Sequence, residues 1–316
     1  MQVCVFIEPH RGASYDDQLR FARLAEQGGF TGLLRADHYQ EMGSVPGQPG
    51  PTDAWITLAG LARETTRLRL GTLVSSMTFR LPGPLAITVA QVDQMSGGRV
   101  ELGIGAGWYE REHRSYGIPF PPLPERLDRL AEQLEILTGL WRTPVGERFN
   151  YRGKHYELLD SPALPKPAQP GGPPLIVGGR GPRRTPELAA RHAEEFNAVF
   201  VTVPEAAAQF RRVAEAAVRI GRAVPPRFSL GLVVACGRTT AEARRRAEAL
   251  YEPGSVLPQE DTVVGTPAQV TDRIGQIEAI GASRVYLRLA DLTDLDHLAL
   301  LAEQVLPQVA PGNRLG

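Results

Sequence analysis

The chain reads as one (β/α)8 TIM barrel. Strand-like and helix-like segments alternate almost from end to end, and eight strands are counted among them. The length of 316 residues suits a single barrel, which typically takes about 250 residues plus insertions. A doubly wound open sheet is the competing fold. It asks for a GxGxxG after the first strand, and none follows here.

Residues 3–8 read as the first strand, and 15–29 as an amphipathic helix closed by Gly28-Gly29. Strand 31–36 precedes a helix over 52–66, with Asp53 or Thr52 as its cap. Strand 68–75, a helix near 84–95 and strand 100–105 make a βαβ unit, so the two strands are expected to be parallel neighbours. Residues 123–141 carry apolar positions at helical spacing. From 143 to 172 the rhythm breaks into a Pro- and Gly-rich stretch whose YRGKHYEL run suits a small hairpin, an insertion on the barrel rim. Strand 174–177, helix 185–194, strand 196–201, helix 204–221 and strand 228–235 follow. Helices over 240–251 and 267–281 flank an irregular segment at 253–264, and strand 284–289 and helix 295–306 close the series. The rim insertion and the irregular segment are the expected lid elements.

Composition removes several function classes. The 35 basic and 35 acidic residues balance, so there is no nucleic-acid footprint. No apolar run approaches the length of about 20 residues that a membrane span needs. Cys4 and Cys236 fall in strands, as buried thiols of a reducing compartment would. The strand pattern at the N-terminus carries no secretory signal, so a cytoplasmic location is expected. The six histidines are dispersed without HxH or HExxH, and no metal site is expected. Lys154 and Lys166 are the only lysines, both in the rim insertion, so no strand-end lysine serves Schiff-base chemistry. GxSxG is absent as well.

Barrel enzymes work at the C-terminal strand ends, and four such places stand out. Asp37-His38 follows the second strand; the pair either faces a ligand, with His38 titrating near neutrality, or caps a loop. The run Gly71-Thr72-Leu73-Val74-Ser75-Ser76 ends the third strand in residues that tolerate a bulge under a ligand or make an ordinary strand end. Gly103, Gly105 and Gly107 clear one face of the fourth strand, for a flat ring or for tight packing. Trp108, Tyr109, Glu112 and His113 then open a loop with aromatic and titratable groups. Gly178-Gly179-Arg180-Gly181-Pro182-Arg183-Arg184 leads into a helix. There converging N–H groups, the helix N-terminus and arginines suit a phosphate, unless the loop is merely solvated.

Arg35-Ala36-Asp37-His38, GTLVSSMTFRLPGPLAI, DQMSGGRVELGIGAGWYEREHRSYGIPF and PLIVGGRGPRRTPELAARHAEEFN together resemble the bacterial luciferase-like monooxygenase family, and within it the branch of coenzyme F420-dependent oxidoreductases. The resemblance covers nearly the whole chain. It implies a barrel with an insertion, usually a homodimer, and a flavin or deazaflavin lying over the strand ends. It implies a bulge near Leu73-Val74, often with a non-proline cis peptide, as backing for the ring. On the resemblance, His38 and Glu112 are the catalytic candidates. Asp37, Leu73, Val74, Ser75, Gly105, Gly107, Gly178, Gly179, Arg180 and Gly181 are placed at the cofactor, and Trp108 and Tyr109 at the substrate. The function expected is hydride transfer between C5 of F420 and a small organic substrate. An FMN-dependent monooxygenase served by a separate reductase, and a non-catalytic flavin-binding relative, are the alternatives.

Overall fold

The structure is a computed structural model, and it describes residues 1–42, 47–248, 262–289 and 291–310. The strands are β1 (Gln2–Ile7), β2 (Gly32–Arg35), β3 (Arg69–Ser76), β4 (Val100–Gly105), β5 (Phe149–Arg152), β6 (Glu157–Ser161), β7 (Leu175–Gly178), β8 (Glu195–Val199), β9 (Arg227–Cys236), β10 (Thr262–Gly265) and β11 (Arg284–Arg288). Among the described residues, all but the β5–β6 hairpin join one sheet in the order β10-β9-β11-β1-β2-β3-β4-β7-β8. β8 pairs back to β9, so the eight strands other than β10 close into a barrel. Each pairing around it is parallel. A crossover containing a helix is what parallel neighbours require.

Those crossovers carry α1 (Tyr15–Gln27), α2 (Ala54–Glu64), α3 (Pro82–Ser96), α4 (Glu110–Ser115), α5 (Leu123–Arg142), α6 (Arg184–His192), α7 (Val203–Arg219), α8 (Thr240–Glu248) and α9 (Pro267–Ala279), with α10 (Leu295–Gln304) and α11 (Leu306–Val309) at the end. Their starts follow local chemistry. Ser14 and Asp17 make a reciprocal capping box on α1, as Thr202 and Glu205 do on α7, and Asp53 caps α2. Pro82 and Pro84 stand where α3 has no use for their missing N–H groups, and Gly97 ends it at φ +68.

Three elements differ from expectation. Residues 262–265, read as part of an irregular segment, form β10 against Val233–Cys236 of β9; positions 253–261 lie outside the described residues, as do 249–251 of the helix expected over 240–251. Residues 110–115, expected as loop, wind into α4. The last helix breaks at Val305, because Pro307 has no N–H to continue it. The rim hairpin falls where YRGKHYEL placed it. Glu132 of α5 fastens it by accepting the backbone N–H groups of Lys154 (2.8 Å), His155 (3.0 Å) and Tyr156 (3.0 Å).

The barrel interior is layered. At its N-terminal end Arg284 bonds Glu101 (2.6 Å) and Glu195 (2.9 Å), and the Tyr286 hydroxyl donates to Glu195 at 2.7 Å. All four are buried, and charges so far from water need such partners. Above this floor lies an apolar layer of Cys4, Phe6, Leu34, Ala36, Leu73 and Ile176, with Val74 and Phe200 packed on it. It supports the C-terminal mouth.

Candidate active site

The mouth is shaped first by β3. Thr72 pairs with Leu102 and Ser75 with Ile104, so β3 carries one residue more than β4 over that interval, a β-bulge. The peptide between Leu73 and Val74 is cis. Leu73 is buried in the apolar layer and Ser75 is buried, whereas Val74 is partly exposed. The glycines of β4 answer this bulge. A Cβ on Gly103 would lie 2.1 Å from the Thr72 carbonyl oxygen, and one on Gly105 3.0 Å from Val74 Cγ2. Thus the face that alternate glycines clear is not left empty: the bulge and the Val74 side chain occupy it. Gly107 adopts φ +78, and a Cβ there would sit 2.3 Å from Ser76 Oγ.

Asp37 and His38 leave β2 as neighbours but do different work. Asp37 is 1% exposed. It accepts the Ser75 hydroxyl at 2.7 Å and Arg80 Nη1 at 2.5 Å, so its carboxylate holds the bulge and is not directed at open space. His38 keeps 17% of its side chain exposed. Its Nδ1 lies 2.9 Å from Glu112 Oε1, and Glu112 Oε2 accepts the Tyr39 N–H at 3.0 Å. A carboxylate only accepts, so the shared hydrogen belongs to Nδ1, and in the neutral form of the imidazole the lone pair is on Nε2. Glu112 is 1% exposed because α4 turns it inward. Trp108 and Tyr109 meet the His38 ring edge-on at centroid distances of 5.9 and 6.4 Å. Trp108 is exposed, an outer wall beside the histidine.

Two histidines behave in ways the sequence does not reveal. His10, just past β1, meets the His38 ring at 5.1 Å and is buried. Burial pushes its pKa down to about 4 against the opposing pull of Glu8, so it is neutral near pH 7. Its position at a strand end was the available signal. His113 is instead a clamp: Nδ1 donates to the Tyr109 carbonyl at 2.7 Å and Nε2 accepts from Thr78 at 2.6 Å.

The second half of the mouth is the β7–α6 loop. Gly179 takes φ +148, a conformation glycine favours. A Cβ on Gly181 would come 2.7 Å from Thr185 Oγ1. α6 begins without a side-chain cap, so its first N–H groups point to whatever lies before the helix. The arginines divide. Arg184 bonds Asp128 of α5 at 2.5 Å and Arg183 bonds Glu187 at 3.2 Å, while Arg180 is exposed and reaches the Val199 carbonyl at 3.4 Å. The loop also adjoins the bulge, since a Cβ on Gly178 would touch Val74 Cγ1 at 3.4 Å. Among the described residues no group of three or more His, Cys, Asp or Glu is placed to hold a metal.

The pattern of the luciferase-like monooxygenase family matches residues 1–284. The chain belongs to that family. An F420-dependent glucose-6-phosphate dehydrogenase of Microbacterium testaceum (strain StLB037) is 36% identical over 182 residues, covering 57% of this chain and 52% of the relative. The luciferase-like chain thus spans about half the length of the curated relatives it matches. Its barrel superposes on an F420-dependent secondary alcohol dehydrogenase solved with an F420–acetone adduct, at a TM-score of 0.83, 20% identity and 98% coverage of both chains. The monooxygenase RslO1 of Streptomyces bottropensis superposes at 0.81 with 22% identity, covering 98% of this chain and all of that one. Both likenesses are of fold.

Proposed function

We propose that the protein is an F420-dependent oxidoreductase acting on a small organic substrate. The observation that carries this reading is the junction at Gly178. A partly exposed apolar surface, Val74 on its bulge, meets a glycine loop that opens an uncapped helix, and a flat ring with a phosphate-bearing tail asks for those two features side by side. The names of the curated relatives supply F420 as the cofactor. When bound, F420 supplies a carbon, C5, that accepts or gives a hydride.

The residues of the chain do the rest. Val74, with Leu73 beneath it and Gly103 and Gly105 giving it room, seats the ring. Asp37 and Ser75 hold that seat in place. Backbone N–H groups at 178–181, with Arg180, hold the phosphate. His38 Nε2 takes the proton of the substrate's polar group in one direction and returns it in the other, with Glu112 fixing the imidazole. Trp108 and Tyr109 wall the substrate. Exposed Ile56 on α2 and Leu81 and Ile87 at α3 support a homodimer, and the buried free thiols Cys4 and Cys236 support a reducing, cytoplasmic setting.

Titrating the protein with F420 and, separately, with FMN tests the reading, followed by turnover on a panel of alcohols, sugar phosphates and activated alkenes. F420 binding with turnover that His38→Ala lowers by about 100-fold or more is expected. Tight FMN binding without F420 binding points to a monooxygenase fed by a reductase. F420 binding with no turnover on any substrate points to a non-catalytic relative. Either result overturns the proposal.

A further inference from the structure

We infer that Arg80 is the positioning residue for His38, acting through both of its chain neighbours. The inference rests on the reading of His38 as the proton-transfer group. Besides the edge-on rings, the His38 imidazole has one hydrogen-bonded tether among the described residues, Glu112. The backbone that presents it is held on either side by the same guanidinium. Arg80 Nη1 and Nη2 donate to Asp37 Oδ2 (2.5 Å) and Oδ1 (3.3 Å), gripping the residue before His38. Arg80 Nη2 also donates to the Tyr39 hydroxyl (2.9 Å), gripping the residue after it.

The grip is itself anchored. Nη2 reaches Asp53 Oδ2 at 2.6 Å, and the Tyr39 hydroxyl donates to the same carboxylate at 3.1 Å. Asp53 caps α2, so the guanidinium ties the start of α2 to the β2 exit. Asp37 also accepts from Ser75, which accepts from Trp55 Nε1 at 3.3 Å. One side chain from the β3–α3 connection thereby joins the ring seat, the helix cap and the histidine loop. The charges close as well: Arg80, and fully buried Arg35 behind it, face Asp37 and Asp53. A planar fork meets several separated acceptors at once. A lysine ammonium in its place keeps the charge and loses the span.

Arg80→Lys therefore isolates positioning from charge. The first readout needs no cofactor. The downfield imidazole N–H resonance of His38, assigned by its absence in His38→Gln, reports the hydrogen bond to Glu112. It should broaden into water exchange in Arg80→Lys, while the His113 resonance, clamped between Tyr109 and Thr78, persists. The second readout is a double-mutant cycle on kcat. Arg80→Lys should lower kcat by about 10- to 100-fold, the scale of a misplaced catalytic group. In the His38→Gln background the same change should cost less than about twofold, because coupled residues do not add. Tyr39→Phe removes one strand of the grip and no charge, so it should move both readouts the same way but less. It decides the matter if Arg80→Lys does not fold. An unchanged His38 resonance, joint loss of the His38 and His113 resonances, or equal losses of kcat in both backgrounds overturns the inference. If the wild type shows no turnover with F420, the functional reading fails and the resonance comparison still decides the role of Arg80.

Discussion

Replacing Glu112 by glutamine changes one atom of a buried side chain and inverts the chemistry of its neighbour. In the native site Oε2 takes the Tyr39 N–H at 3.0 Å and Oε1 faces His38 Nδ1 at 2.9 Å. A glutamine offers one acceptor and one NH2 group. The Tyr39 amide can only donate, so it claims the amide oxygen. The NH2 then faces Nδ1 and demands a lone pair there. The imidazole answers by moving its proton to Nε2, the nitrogen proposed to face substrate, and that nitrogen turns from acceptor to donor.

The magnitude follows from what is lost. General acid–base catalysis contributes about 100- to 10,000-fold, and the carboxylate-to-amide change that imposes the wrong tautomer in the Ser-His-Asp triad costs about 10,000-fold. We expect Glu112→Gln to lower kcat/KM by about 100- to 10,000-fold, a barrier increase of about 3–5 kcal/mol. Shape and both hydrogen bonds survive, so the unfolding midpoint in urea should stay near wild type. Steady-state kinetics gives the rate, and 15N shifts of the His38 ring give the tautomer. A loss of less than about tenfold together with a confirmed tautomer change would refute the proton-transfer role of His38. An unchanged tautomer would refute the hydrogen-bond argument itself.

Stability should fall with acid before most carboxylates titrate. Burial pushes His10 and His297 from 6.5 down to about 4, so the unfolded chain binds protons that the folded chain refuses. Their stabilisation is present above about pH 6.5 and is lost as pH falls toward 4, by about 2 kcal/mol per histidine at pH 5. Urea midpoints at pH 7 and pH 5 check this, and equal midpoints would contradict it. At the barrel floor, Arg284→Met leaves Glu101 and Glu195 without their shared cation and should cost about 3–5 kcal/mol. Glu195→Gln should cost far less, because burial, with Glu101 nearby, already holds that carboxyl above its ordinary range. Urea unfolding ranks the two variants, and the reverse order would show that the cluster's charge balance has been misread.

Local periodicity made the barrel legible, since a strand buried on both faces and a helix buried on one leave different patterns in the sequence. It did not reveal β10, four residues long, nor α4, six. The His38 and Glu112 positions were legible as polar residues after strand ends. Their contact was not, because 74 residues separate them. The same limit explains Asp37: nothing local says that its carboxylate turns toward Arg80, 43 residues on. Arg180, Arg183 and Arg184 look alike in sequence, and only the pairing with Asp128 on α5 turns Arg184 away from the loop proposed to hold the phosphate.

The glycines of β4 show the deeper reason. Their absent side chains announce that something lies close, but not whether it is a ligand or the chain. A Cβ on Gly103 would meet the backbone of β3, and the bulge that causes this exists only once β3 and β4 are paired out of register. The Val74 side chain, pushed outward by that bulge and walled by Gly103, Gly105 and Gly178, is then a consequence of three strands at once. What a composition pattern marks as space is therefore the footprint of a neighbouring strand, and the surface proposed for the cofactor is the residue that strand displaces.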